Sequence, residues 1–154
     1  MTWATGRDRV QSLLDMGHLE QVAPSGEHAA LLMSDAGRHL ASAGAIASTD
    51  APAAYALAYD AARKALSAVL AKQGLRATSS GGHVAVQDAI EAQLGAARSV
   101  VSQFGRMRRR RRDAEYPDED SAPIDSAEVI EDLPHAEAIV EAARKLVDLV
   151  DGWE

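Results

Sequence analysis

The sequence predicts an all-α, single-domain protein built as an up-and-down bundle of about five helices. Of its 154 residues, 47% are hydrophobic, mostly Ala, Leu and Val, and only 4% are aromatic. Alanine has the highest helix propensity, whereas β-rich domains draw on Ile, Thr, Tyr and Phe. Apolar residues recur at helical spacing along most of the chain. No segment alternates with period two for long enough to predict a strand.

Capping and stop signals mark where the predicted helices begin and end. Ser25 is a candidate N-cap, and the run Ser48–Pro52 combines capping side chains with a proline early in a first turn. Gly74 suits the position after a helix C-terminus, and residues 77–82 predict a flexible loop. The predicted helices cover about residues 3–19, 25–46, 51–73, 83–94, 96–115 and 126–150.

The chain contains no internal repeat and no linker long enough to divide it, so we expect one domain. Residues 1–24 predict an N-terminal helical segment that packs on a bundle formed by residues 25–154. Pro134 lies inside the last predicted helix. It either kinks that helix or divides it in two.

Composition excludes several classes of protein. The chain has no cysteine, which excludes a disulfide scaffold, a thiolate zinc site and a cysteine nucleophile. Its first residues have no apolar run typical of a signal peptide, and no stretch is apolar enough to span a bilayer. We therefore expect a cytoplasmic protein without membrane contact. The histidines form neither an HxxxH nor an HExxH pair, so we expect no metal and no cofactor.

Charge is distributed unevenly along the chain. The formal net charge is −7, yet Arg106 and residues 108–112 place six arginines within seven residues. From Asp113 to Asp132 there are nine acidic residues and no basic one. Like charges three and four residues apart destabilise a free helix, so a solvated helix end explains one or two arginines but not six.

Two interpretations of the arginine run stay open. Guanidinium groups offer planar forks of donors to phosphate, which favours binding of RNA or of a nucleotide phosphate. The acidic segment that follows could instead neutralise the arginines within the same molecule or across a dimer. Arg108, Arg109, Arg111 and Arg112 are the candidate phosphate-binding residues.

The same region could carry metal-independent RNA cleavage. Such a reaction needs a base for the ribose 2′-hydroxyl and a cation for the phosphate. Arg111 could hold the phosphate, and Glu115 or Tyr116 could act as the base. Tyrosine ordinarily titrates near pH 10, which makes it a poor base at neutral pH. The pattern therefore favours binding over catalysis.

Four residues elsewhere are accessory candidates. Asp60, Arg63 and Lys64 lie on the polar face of the third predicted helix, where a polar seam between helices or subunits is the simpler interpretation. His83 follows two glycines after the predicted loop and is more simply a helix-start histidine, with a smaller chance of reaching a site.

Two stretches resemble the HEPN domain superfamily: AYALAYDAARKALSAVLAKQGLR (residues 54–76) and RRRRRDAEYPD (residues 108–118). The last helix, from SAEVIEDL to AEAIVEAARKLV, is similar as well. The likeness extends from about Ser34 onward and includes the order of the helices. It is closest in kind to actinobacterial members with an Ala-rich second helix and a GGH loop.

The resemblance implies a bundle of four or five helices that commonly forms homodimers. Many HEPN domains are toxins of toxin–antitoxin or phage-defence systems that cleave RNA without metal. Others bind nucleotide or RNA, or pair with a nucleotidyltransferase. In the ribonuclease members an arginine and a polar neighbour precede a histidine. Arg111 and Arg112 match the first two positions, and Tyr116 replaces the histidine.

We therefore expect RNA or nucleotide phosphate to bind in a cleft that Arg111, Arg112 and Tyr116 of two subunits line together, as part of a toxin–antitoxin or stress module. An antitoxin or a nucleotidyltransferase would be its partner. The alternatives are a metal-independent endoribonuclease and a protein-binding module whose arginines dock an acidic partner.

Overall fold

The computed structural model describes residues 3–154 and has an all-α fold. Its helices form a single bundle to which two short strands and one 3-10 helix are added. The elements are α1 (Arg7–Asp15), β1 (Leu19–Gln21), α2 (Gly26–Ile46), α3 (Ala51–Gln73), β2 (Leu75–Ala77), α4 (Gly82–Leu94), the 3-10 helix (Gly95–Val101), α5 (Gln103–Glu115) and α6 (Ser126–Val147).

Side-chain caps begin the three long helices, and those of α2 and α3 were predicted. Ser25 Oγ accepts a hydrogen bond from the His28 amide at 3.0 Å, which satisfies a free donor in the first turn of α2. Asp50 caps α3 in the same way, and Asp125 caps α6. At the other end of α3, Gly74 has φ +80° and stops the helix at the predicted residue.

Two elements differ from the prediction. The first helix ends at Asp15 instead of Leu19, because the chain turns there and enters β1. β1 pairs with β2 in antiparallel register, with Leu19 opposite Ala77. The prediction of no strand was therefore wrong. Three residues are too few for an alternating pattern, and these two strands are separated by α2 and α3.

Helix α3 is the centre of the core. It packs against α2, α4, α5 and α6, and 13 of its residues are buried. Alanines supply many of these positions, so neighbouring helices can approach closely on several sides. The tyrosines Tyr55 and Tyr59 are the largest side chains that α3 buries. They point toward α6 and α4, where their hydroxyl groups find partners.

In the C-terminal part of the chain, one helix differs from the prediction, and one of the two alternatives for Pro134 is excluded. The predicted helix over residues 96–115 is a 3-10 helix followed by α5. Helix α6 is one helix with Pro134 inside it, so Pro134 does not divide it. Pro134 and Ile130 are both exposed, which lets water solvate the Ile130 carbonyl that has lost its helical donor.

The two ends of the described chain meet. Trp3 and Trp153 are in edge-to-face contact with ring centroids 4.7 Å apart, and Trp3 Nε1 donates to the Gly152 carbonyl at 2.9 Å. The Trp153 amide donates to the Gln73 carbonyl at the end of α3. Helix α1 packs against α4 through buried Val10 and Leu13. None of the helices in residues 3–154 combines the length and apolarity needed to cross a lipid bilayer.

Candidate functional site

The arginine run divides into two sets with different neighbours. Arg106 points toward α6, where its guanidinium contacts the Asp132 carboxylate at 2.5 and 3.0 Å. Asp132 is buried and also accepts a hydrogen bond from Tyr55 Oη at 2.7 Å. Burial alone would raise the pKa of Asp132, but Arg106 and Tyr55 outweigh it and lower that pKa. This buried cluster fastens α5 to α6.

Arg110 is also neutralised within the chain. Its guanidinium contacts Glu128 of α6 at 2.5 and 2.9 Å and Asp113 at 3.1 Å, and it donates to the Ala122 carbonyl at 2.8 Å. The hydrogen bond to Glu128 raises the pKa of Arg110. The acidic segment after α5 therefore covers part of the arginine run. The interpretation of internal pairing holds for Arg106 and Arg110.

The other four arginines line one surface cavity of about 910 Å³. The side chains of Arg108, Arg109 and Arg112 make no hydrogen bond or ion pair within residues 3–154. Arg111 is held differently, as described below. The remaining lining residues come from the start of α4 and the end of α5: Gly81, Gly82, His83, Val84, Asp113, Glu115, Tyr116 and Asp118. The acidic segment thus leaves three guanidinium groups of the run without a partner in the described chain.

Arg111 is positioned by two carboxylates and one ring. Its Nη2 lies 2.7 Å from Glu115 Oε1 and 3.6 Å from Asp60 Oδ1. Its guanidinium also lies 5.5 Å from the centroid of the Tyr59 ring. Asp60 contacts Arg63 at 3.6 Å as well, so one carboxylate of α3 links a cation on its own helix with one on α5.

His83 lies in the same cluster. Its Nδ1 is 2.6 Å from the hydroxyl of buried Tyr59, whose ring stacks on Phe104 with centroids 4.9 Å apart. Burial lowers the pKa of the His83 imidazole, and the nearby Arg63 and Arg111 lower it further. Burial likewise raises the pKa of Tyr59, so its phenol stays protonated. His83 is therefore neutral at pH 7.

These contacts also favour one tautomer of His83. The Tyr59 hydroxyl is fully buried, and Nδ1 of His83 is its hydrogen-bond partner. A buried donor without an acceptor is costly, so the hydroxyl donates to Nδ1. The single proton of the neutral imidazole is then on Nε2, and His83 presents an N–H donor.

Two glycines place His83. A Cβ on Gly81 would lie 2.1 Å from the His18 carbonyl oxygen, so no other residue fits there without movement of the backbone. Gly82 has φ +56°, in the left-handed region that favours glycine. Thr78 Oγ1 donates to the Gly17 carbonyl at 2.6 Å and accepts from the Gly81 amide. Hydrogen bonds thus anchor the predicted flexible loop, residues 77–82, to the turn before β1.

Three buried polar atoms without hydrogen-bond partners are a second feature of this cluster, besides its concentration of charge. Within residues 3–154, the buried side-chain atoms without a hydrogen-bond partner are Asp60 Oδ1, Arg108 Nε and Arg111 Nε. Buried polar groups in proteins almost always have partners, so unpaired ones indicate a strained or ligand-binding place. All three atoms belong to the cluster around Tyr59 and His83.

The structure brings some of the predicted site residues together and leaves others apart. Asp60, Arg63 and His83 join Arg108 and Arg111. Lys64 instead faces α2, where its Nζ contacts Asp35 Oδ2 at 3.2 Å and His39 Nε2 at 2.9 Å. Burial, followed by Lys64, lowers the pKa of His39. This second polar group forms a seam between α2 and α3.

The two residues predicted as alternative bases have other surroundings. The Glu115 carboxylate is paired with Arg111, and the Tyr116 side chain is 73% exposed at the end of α5. Sequence reasoning missed Tyr59, which holds His83. Its signal was weak because α3 is buried on nearly all sides, so periodicity did not separate Tyr59 from the core. Within residues 3–154, no group of three or more His, Asp or Glu side chains could hold a metal ion.

Comparison with known proteins identifies the family. The family model described as HEPN domain matches residues 29–153, which is most of the chain. The comparisons with curated proteins and with solved structures gave no match. The matched region contains α3, α4, α5 and α6 and every residue of the Tyr59–His83 cluster. The chain therefore belongs to the HEPN domain family.

Proposed function

We propose that this HEPN domain binds RNA or a nucleotide through its phosphate, at the cluster formed by Tyr59, Asp60, His83, Arg108 and Arg111. The observation that carries the proposal is the pair of buried guanidinium nitrogens, Arg108 Nε and Arg111 Nε, that have no partner in the described chain. A phosphate oxygen is the acceptor that such donors prefer.

The surroundings of the cluster support the same ligand. Arg109 and Arg112 line the same cavity without ion pairs in residues 3–154, and they add positive charge around the buried nitrogens. His83 presents a neutral N–H donor beside them. Two exposed apolar side chains, Val84 and Tyr116, also line the cavity. An aromatic ring beside arginines suits a base of a single strand.

Salt-dependent binding tests the proposal. Anisotropy of a labelled single-stranded RNA, measured between about 50 and 200 mM salt, gives the number of phosphates neutralised. Arg112→Ala should weaken binding about threefold to tenfold and reduce the salt slope by about one. Arg98→Ala is the matched control, because Arg98 is exposed, lies outside the cavity and makes no ion pair in the described chain. Equal losses in both variants would contradict a specific site.

A second candidate function is metal-independent RNA cleavage, which His83 favours. The histidine that the motif lacks at Tyr116 is present in space, in the cavity that holds Arg108 and Arg111. In cleavage, a base removes the 2′-hydroxyl proton, the 2′-oxygen attacks phosphorus and the 5′-oxygen leaves with a proton. The tautomer that Tyr59 favours has its proton on Nε2, so His83 would have to exchange tautomers before acting as a base.

A cleavage assay in the presence of a chelator distinguishes the two functions. Binding without cleavage supports the first. Cleavage that both Arg111→Ala and His83→Asn abolish supports the second. Cleavage that survives both substitutions would point to a contaminating nuclease.

Pairing of two copies and a partner protein are the remaining parts of the proposal. We propose that two copies pair with their α5 helices side by side, so that Arg111, Arg112 and Tyr116 of both line one cleft. We also propose that the protein acts in a toxin–antitoxin or stress module, with an antitoxin or a nucleotidyltransferase as its partner. The exposed Tyr116 and Val84 support a contact at this end of α5. Sedimentation should show a dimer that Tyr116→Glu weakens. If the protein binds no RNA at any salt concentration, docking of an acidic protein is favoured instead.

A further inference from the structure

A second cavity, of about 770 Å³, lies on the other side of His83. Its walls come from four elements: one face of α2, one face of α3, the strand β2 and the start of α4. Its volume falls within the range of pockets that hold small organic ligands. Val22 and Ala23, which follow β1, close one edge of it.

The cavity has an apolar floor and a polar rim. Leu70, Leu75 and Val86 are buried beneath it, and Leu32 is half-buried on its α2 wall. Hydroxyl and imidazole groups stand above this floor. The side chains of His28, Ser67 and Ser79 line the cavity and make no hydrogen bond or ion pair within residues 3–154. A ligand here would bury a flat or apolar body and meet polar groups at its edges.

Cationic groups lie at the rim and not in the floor. Arg63 lines the cavity and contacts Asp60, the carboxylate that also contacts Arg111 in the arginine cavity. Arg76 lines the cavity too and is exposed, and its guanidinium is paired with Glu20 at 2.7 Å. Both cations thus already have a carboxylate partner, so the anionic group of a ligand would lie on the unpaired arginines of the other cavity.

The two cavities adjoin at one point, because Gly82 and His83 line both of them. A ligand with its phosphate on Arg108 and Arg111 would therefore reach the second cavity by extending past the His83 ring. The moiety that follows a phosphate in a nucleotide is a sugar and then a base, which is flat, weakly polar on its faces and rich in hydrogen-bonding groups on its edges.

We propose that this cavity is a nucleobase pocket, in which the base of a nucleotide or of a single-stranded RNA rests on the floor formed by Leu32, Leu70, Leu75 and Val86. Its edge meets Ser67, Ser79 and His28, and its phosphate lies on the arginines across His83. This inference rests on the proposed phosphate-binding function and adds the part of the molecule that determines selectivity.

The test compares ligands that differ only in the base. Isothermal titration at about 50 mM salt is run with AMP, with ribose 5-phosphate and with inorganic pyrophosphate. AMP should bind about tenfold more tightly than ribose 5-phosphate, which has the same phosphate but no base. Equal affinities would overturn the pocket while leaving phosphate binding intact. If none of the three binds, the proposed function fails and the pocket fails with it.

A pair of matched variants locates the base. Leu32→Trp places a large ring in the cavity and should reduce the affinity for AMP to that for ribose 5-phosphate, which should itself change less than twofold. Leu40→Trp is the control, because Leu40 is also a half-buried leucine of α2 but lies outside the cavity. If Leu32→Trp does not fold, photocrosslinking of an azido-adenine nucleotide to the unsubstituted protein replaces it. Labels on α2 or β2 support the pocket, and labels confined to α5 overturn it.

Discussion

His83 shows how one hydrogen bond sets the electrostatic behaviour of a site. The buried Tyr59 hydroxyl holds Nδ1, and burial with Arg63 and Arg111 nearby keeps the pKa of His83 below its ordinary value of about 6.5. The cluster therefore gains a positive charge only in acid. Asp60 partly compensates the arginines around it.

We predict that affinity for RNA phosphate rises as the pH falls from 7 to 5. Protonated His83 adds a cation beside the phosphate, and the bound phosphate in turn raises the pKa of His83. His83→Asn should remove most of this pH dependence, whereas His135→Asn, on α6, should not. Anisotropy at fixed salt measures it. A pH profile unchanged in His83→Asn would show that another group titrates.

The stability of the free protein depends on pH in the opposite direction, because acid lowers it. Because the folded pKa of His83 lies below the unfolded one, the unfolded chain binds more protons in this range. The contribution of His83 to stability is present above about pH 6.5 and declines as the pH falls toward the folded pKa. Acid thus tightens the complex while it weakens the free fold.

Loss of the buried Asp132 carboxylate should lower the stability of the fold. Asp132→Asn removes the charge that Arg106 and buried Tyr55 share, so we expect the free energy of unfolding to fall by about 2 kcal/mol. Its pKa is lowered, so this contribution is present above about pH 4 and disappears as the pH falls through the folded pKa. Urea denaturation measures it, and the exposed Asp151→Asn is the control. Equal stability of both variants would contradict the buried role.

At the scale of elements, helix α5 shows what sequence patterns can and cannot predict. Its end near Glu115 and the concentration of positive charge were predicted from Pro117 and the arginine run. The separation of Arg106 and Arg110 from the other four was not. It depends on where α6 packs, since Asp132 and Glu128 come from that helix.

Dependence on tertiary packing also explains the other differences between the predicted and the observed structure. Caps are local, so Ser25 and Asp50 were readable from neighbouring residues. The pairing of β1 with β2 joins segments on either side of α2 and α3, and the contact of Tyr59 with His83 joins α3 to the start of α4. Such contacts depend on tertiary packing. The likeness to HEPN domains supplied the order of the helices, and the family match confirms that likeness.

Helix α6 offers a direct test of a strained element. Pro134 lies in its interior with an exposed side chain. Pro134→Ala restores a backbone donor and removes a steric conflict with the preceding turn, so we expect the free energy of unfolding to rise by about 1 kcal/mol or more. Pro123→Ala, in the loop before α6, should lower it slightly. A loss of stability in Pro134→Ala would mean that Pro134 contributes to the packing of α6.

At the scale of the whole molecule, the two tryptophans join the ends of the chain. Trp153 is 7% exposed and contacts Trp3, while the Arg7 guanidinium lies 4.8 Å from the Trp153 ring centroid. These contacts hold α1 and the C-terminus against the end of α3.

We predict that Trp153→Ala lowers the free energy of unfolding by about 3 kcal/mol, because it leaves a large space beside Trp3. The remaining fluorescence, which comes from Trp3 alone, should shift to longer wavelength. Trp3→Ala should cost less, since Trp3 is only half-buried. Urea denaturation followed by circular dichroism gives both values. Equal costs would show that the two rings are buried to the same extent in solution.

The contact between Gly81 and His18 has a consequence for how this family is delimited. The match to the HEPN model begins at residue 29, yet the carbonyl oxygen of His18 lies against Gly81, and Thr78 is tied to Gly17. A chain trimmed to the matched residues would keep the six arginines of the run and lose the backbone that packs against the loop before His83. For this protein, the boundary of the recognisable family region lies inside the boundary of the structural unit that holds the proposed site.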